Sequence, residues 1–272
     1  MLGQLQKMKV TLTNPVNYQL VLNDELIALN PLIGHKISLQ HTGGIFCLHC
    51  AKKIKKSFNQ GYCYPCFSSL AQCDLCIMKP ETCHHHLGTC REAEWGDKNC
   101  FIPHYVYLAN SSGAKVGITR HTQIPTRWID QGAIQALPIM KVSSRYLSGL
   151  VEVIFAQHIS DKTHWQRMLK NQVEAIDLAE KRDELFDLCK IELAELAQRF
   201  GEKAMQLLPE QTTINIVFPV EQYPTKVTSL NFDKTPEVSG ILQGIKGQYL
   251  LLDTGVINLR KFGGYEVEFQ SS

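Results

Sequence analysis

The chain has 272 residues, of which 44% are apolar and 20% charged, and its formal net charge is +2. This is the composition of a folded globular protein and argues against intrinsic disorder. So small a charge excess gives no basis for nucleic-acid binding through the whole surface; a local basic face is required.

No apolar run approaches the roughly 20 residues of a membrane span. The start, Met1-Leu2-Gly3-Gln4-Leu5-Gln6-Lys7-Met8, lacks the apolar stretch of a secretory signal. A cytoplasmic protein with no membrane partner is expected. In a reducing compartment, ten cysteines point to metal rather than to disulfides.

Residues 1–46 alternate apolar and polar side chains around Lys9–Leu12, Tyr18–Leu22 and Lys36–Leu39. Turn signals interrupt them at Asn14-Pro15, Asn30-Pro31 and Gly43-Gly44. The pattern predicts an N-terminal segment of short antiparallel strands.

Residues 47–103 hold nine of the ten cysteines and have little hydrophobic periodicity, as expected where metal replaces an apolar core. Cys47-Leu48-His49-Cys50 and Cys63-Tyr64-Pro65-Cys66 form two Cys-x-x-Cys pairs. Each pair folds over an ion as a knuckle, and two knuckles complete a tetrahedral zinc site. Cys73, Cys76, Cys83 and Cys90 are the candidates for a second zinc, with His84 and Cys100 as substitutes and His104 just beyond. Thiolate-rich ligation there also suits an iron–sulfur cluster. Between the knuckles, Lys52, Lys53, Lys55 and Lys56 stand beside Phe58, Tyr62 and Tyr64. Such a cluster either tracks a phosphate backbone and stacks on bases, or is a solvated lysine face.

From 104 to 208 the pattern reads strand, strand, helix, strand, helix, then a helical extension. Val106–Leu108 and Ala114–Ile118 flank Asn110-Ser111-Ser112-Gly113, the signature of a hairpin. Trp128, Ile129, Ala133, Ile134 and Leu137 follow Pro125 at helical spacing, Pro138–Val142 reads as a strand, and a second helix runs over about 144–159. The stretch 173–200 is amphipathic, packing on this module or in a homodimer contact, and Cys189 falls on its apolar side.

This order resembles the GIY-YIG nuclease superfamily over residues 104–165. Tyr107 matches the tyrosine of its first motif, and Lys115-Val116-Gly117 its second, with lysine in place of tyrosine. Arg127 matches the arginine of the first helix and Glu152 the glutamate of the second. Tyr105 stands where the family has glycine, Gln131 where histidine or tyrosine is common, and no asparagine falls near Asp161-Lys162. The whole chain also looks like an uncharacterised bacterial family joining such a module to cysteine clusters. The resemblance implies hydrolysis of phosphodiester bonds in DNA or RNA. Glu152 would bind Mg²⁺ or Mn²⁺, Arg127 would neutralise the phosphoryl oxygens, and Tyr107 or a deprotonated Lys115 would prepare the attacking water.

The tail, 209–272, returns to strands around Ile214–Phe218, Tyr249–Leu252 and Val256–Leu259, punctuated by glycine. A small β-domain is expected there. The whole is an α+β protein with a zinc-binding insertion. Three functional classes remain open: a metal-dependent nuclease, a zinc-containing nucleic-acid-binding protein whose module does not cleave, and a protein-interaction adaptor.

Overall fold

The computed structural model describes residues 1–160 and 162–272; Asp161, near which the sequence shows no asparagine, lies outside them. The fold is α+β. Among the described residues, no helix is long and apolar enough to cross a membrane.

The hairpin strands His104–Asn110 and Ala114–Arg120 pair antiparallel, and Gln135–Val142 adds to the other side of the first. Alternate side chains of a strand face opposite ways. Val106 and Leu108 therefore enter one core with Leu147, Val151 and Phe155 of the helix Arg145–Phe155. Tyr107 and Ala109 enter another with Trp128 and Ile129 of the helix Thr126–Asp130. The sheet is apolar on both faces because it is covered on both.

The first helix is shorter than the sequence periodicity predicts. It stops at Asp130, and Gly132 adopts φ +67°, with Met168 so close that a Cβ would lie 2.4 Å from its sulfur. The chain reverses there, so Leu137 belongs to the long strand Gln135–Val142. Ser144 caps the next helix, its hydroxyl accepting from the Leu147 N–H. The extension forms two helices, Leu178–Leu188 and Lys190–Phe200, with fully buried Cys189 at their junction.

The segments expected at the two ends, 1–46 and 209–272, share one six-stranded sheet. Lys36–Ile45 pairs with Tyr265–Ser271 on one edge and Glu237–Lys246 on the other. The cysteine-rich residues thus leave and re-enter a body whose ends are tied together.

Lys246, on Glu237–Lys246, is wholly buried. It donates to Asn171 Oδ1 at 2.8 Å and lies 5.4 and 5.3 Å from the Phe218 and Tyr223 ring centroids. Burial pushes its ammonium down from 10.5 to about 8. Below pH 8 both the folded and the unfolded chain hold this proton. Between pH 8 and 10.5 the unfolded chain binds more of it, so the lysine's contribution to stability rises with pH across that window, by roughly 3 kcal/mol in full. Urea unfolding of wild type and Lys246→Met should show the wild type gaining on the variant by that order between pH 8 and 10.5. Parallel pH profiles would contradict it.

Candidate active site and metal centres

Tyr107, Lys115, Arg127 and Glu152 line one cleft of about 320 Å³. Ala114–Arg120 is the edge strand of its sheet, so residues from both faces meet around it. Tyr107 lies directly across from Gly117, and Lys115 across from Ala109. A side chain at Gly117 would meet the Tyr107 ring and hydroxyl at 2.7 Å, so glycine leaves room for the tyrosine. Gly117→Ala should therefore cost about 1–3 kcal/mol through overpacking, read as a lower urea midpoint; an unchanged midpoint would refute the close fit.

Gln131 ties the floor together. Its Oε1 accepts from the Tyr107 hydroxyl at 3.0 Å and from Lys115 Nζ at 2.8 Å. Tyr107 is fully buried, and burial raises its phenol above the usual value despite the opposing pull of Arg127. At neutral pH it is a protonated donor.

Lys7, Arg120, Arg145 and Arg260 also line the cleft, against the carboxylates of Asp130 and Glu152. Asp130 is paired with Lys7 and accepts from Gln248 Nε2 at 2.9 Å. The cleft is strongly cationic although the chain is nearly neutral, which suits a polyanionic ligand. These additional cations were not singled out in the sequence. Arg145 had a signal: it precedes Glu152 by two helical turns and so shares its face. Arg260 had none.

Cys47, Cys50, Cys63 and Cys66 bring their sulfurs within 4.8 Å of one another and can hold a metal ion such as zinc. The knuckle at Cys47 closes through Ala51 N–H to the Cys47 carbonyl, and Cys63 precedes the short helix Tyr64–Ser69. Burial opposes ionisation of Cys47, but the N–H groups of Cys50, Cys63 and His49 outweigh it and bring the thiol to about 6. Hydrogen bonding to Cys63, then burial, raises Cys66. A full set of thiolates therefore needs a cation.

Cys73 packs with Cys47, Cys63 and Cys66, away from the thiols it was grouped with in the sequence. Cys76, Cys83 and Cys90 instead face a small cavity together with Cys100, Asp74 and His84. Asp74, Cys76 and His84 also lie within 4.8 Å of one another. Burial, then Asp74 and the neighbouring thiols, push Cys76 up to about 12. His104 stands apart, fully buried with Nδ1 on the Ile102 carbonyl, and burial lowers it to about 4.

This region forms a wall of the cleft. Ile77, Met78 and Pro80 line it, and a Cβ at Gly149 of the Glu152 helix would come within 2.8 Å of Pro80 and Glu81. Around the first metal group, Lys52, Lys55 and Lys56 surround a separate hollow with Phe58 and Tyr64. Phe58 lies 5.4 Å from Tyr64 and 5.8 Å from Phe67, and Lys56 is 5.4 Å from the Phe58 centroid.

Fold and site define a class: an α+β protein with a group of four cysteines able to hold a metal ion and a cationic cleft. The chain belongs to the family described as protein of unknown function (DUF2797), whose profile matches residues 34–267. That span takes in both cysteine groups, the cleft apart from Lys7, and most of the shared sheet. No curated protein and no solved structure matches the chain.

Proposed function

We propose that the chain is a divalent-metal-dependent nuclease hydrolysing phosphodiester bonds in DNA or RNA, with a GIY-YIG-type module as its catalytic core. The observation that carries this reading is the convergence of Tyr107, Lys115, Arg127 and Glu152 on one cationic cleft. These are the four residues that the resemblance singles out.

Glu152 is partly exposed at that cleft, an oxygen ligand of the kind Mg²⁺ or Mn²⁺ takes alongside substrate phosphate and water. A cation held there would supply charge neutralisation at the scissile phosphate and the leaving oxygen. Arg127 binds the phosphoryl oxygens, and Arg120, Arg145 and Arg260 hold the flanking backbone. Gln131 fixes Tyr107 and Lys115 relative to each other. Tyr107 keeps its proton and donates a hydrogen bond to Gln131, so it positions that amide, and Lys115 Nζ is the group that positions the attacking water.

The test is incubation of the zinc-loaded protein with labelled single-stranded, duplex and branched DNA and RNA, with and without added Mg²⁺ or Mn²⁺. Cleavage that requires the added ion supports the proposal. The lysine–aromatic hollow at the first metal group favours a second reading, a nucleic-acid-binding protein that does not cleave. Salt-dependent binding without cleavage under every metal condition would select it. Neither binding nor cleavage would favour an adaptor.

A further inference from the structure

Apart from the four-cysteine group, Asp74, Cys76 and His84 bring an oxygen, a sulfur and a nitrogen within 4.8 Å of one another. All three residues line a cavity of about 10 Å³, room for one water-sized body. His84 Nε2 stands 3.6 Å from Asp74 Oδ2. That is too long for an N–H···O hydrogen bond. Tetrahedral metal bonds of about 2.0 Å, by contrast, place two such ligand atoms about 3.3 Å apart.

The surroundings orient each donor. Thr89 Oγ1 donates to the His84 carbonyl at 3.2 Å, so the same oxygen accepts from His84 Nδ1, 2.8 Å away. With its proton on Nδ1, the ring turns an unprotonated Nε2 toward Asp74, the arrangement in which a histidine ligates metal. Asp74 Oδ2 is held by Arg91 Nε at 2.7 Å, and Oδ1 accepts from the Cys76 N–H at 3.3 Å. Arg91 is anchored in turn, donating to the Phe67 and Leu70 carbonyls. An imidazole lone pair and a carboxylate that face each other need a cation between them.

We propose that Asp74, Cys76 and His84 hold a second zinc ion, with one further thiol of the same cavity closing the tetrahedron. Cys83, Cys90 and Cys100 all line that cavity. Mixed sulfur, nitrogen and oxygen donors suit zinc, and space for one body selects a single ion. His85 also reaches the cavity, but its Nε2 is turned to Asp97 Oδ1 at 3.1 Å. Cys73, a candidate by spacing, packs on the four-cysteine group instead.

The site stands next to the cleft. Ile77, which follows Cys76, accepts from the Arg145 guanidinium through its carbonyl, and both residues line the cleft. The proposal concerns the ligand set and stands independently of the nuclease reading.

Zinc per chain, measured on purified wild type and variants, tests it. Cys76→Ser and His84→Ala should each lose about one zinc equivalent relative to wild type, and Cys63→Ser the other. Zinc content unchanged in Cys76→Ser or in His84→Ala would overturn the proposal. So would zinc kept in His84→Ala but lost in each of Cys83→Ser, Cys90→Ser and Cys100→Ser, the result of a site built from thiols alone. Should the variants fail to fold, X-ray absorption at the zinc edge of wild type decides. One ion with four sulfurs and another with two sulfurs, a nitrogen and an oxygen average to about three sulfurs per zinc. Four sulfurs per zinc would refute the mixed site.

Discussion

Glu152→Ala is expected to abolish cleavage while leaving nucleic-acid binding intact. The helix that carries Glu152 is fixed by other residues: Ser144 caps it, and Leu147, Val151 and Phe155 bury one side of it. Removing a partly exposed carboxylate leaves those contacts in place, so the melting profile should change little. On the proposed mechanism, the effect falls on the cation that Glu152 would hold at the scissile phosphate. Loss of one transition-state stabilising group costs on the order of 10³-fold in rate, and removal of the metal ligand should cost at least as much. Binding should hold or tighten slightly, since one negative charge leaves a cationic cleft, and its salt dependence should persist. Glu152→Gln keeps the shape and removes the charge, and should be equally inactive. A Glu152→Ala protein cleaving at the wild-type rate would remove this carboxylate from the mechanism.

Cys63→Ser should cost the protein its four-cysteine metal ion and, with it, the order of roughly residues 47–70. Structural zinc contributes on the order of 10–16 kcal/mol in small zinc-binding peptides, more than this short segment can recover by packing. Its core is Cys47, Cys63, Cys66, Leu70 and Cys73, with Ile54, Tyr62 and Phe67 against it. The two large apolar cores lie elsewhere, so the rest of the chain should remain folded. A consequence reaches the cleft: Arg260 Nε donates to Gln60 Oε1 at 2.9 Å, a contact that anchors this cleft cation to the metal region. Zinc analysis should show a loss of about one equivalent, and limited proteolysis should cut within 47–70. A variant retaining both the metal and its protease resistance would contradict the assignment.

Features with local causes are legible in the order of the amino acids. Two Cys-x-x-Cys pairs specify a group able to hold a metal ion because each knuckle is a tight turn, whatever the surrounding fold. Alternation over 104–110 and 114–120 specifies a hairpin, and with it that Tyr107 and Lys115 face the same side. Glu152 is marked by its position alone, as the one charged residue of the run 147–155.

Features that depend on residues far apart in the chain were settled by tertiary packing. Periodicity carries the Trp128 helix through Leu137, but the helix stops at Asp130, and Gly132 takes a left-handed φ of +67° with Met168 packed against it. The strands at the two ends merge into one sheet because Lys36–Ile45 finds its partners in Glu237–Lys246 and Tyr265–Ser271, at the far end of the chain. Cys100 joins Cys76, Cys83 and Cys90, and Cys73 leaves them, because the helix Ala93–Asn99 returns the chain to the cavity while Cys73 packs on the first metal group. The gathering of Lys7, Arg120, Arg145 and Arg260 about Glu152 has the same origin. A net charge of +2 records only how many charges the chain carries; their distribution, which selects a ligand, is set by the fold.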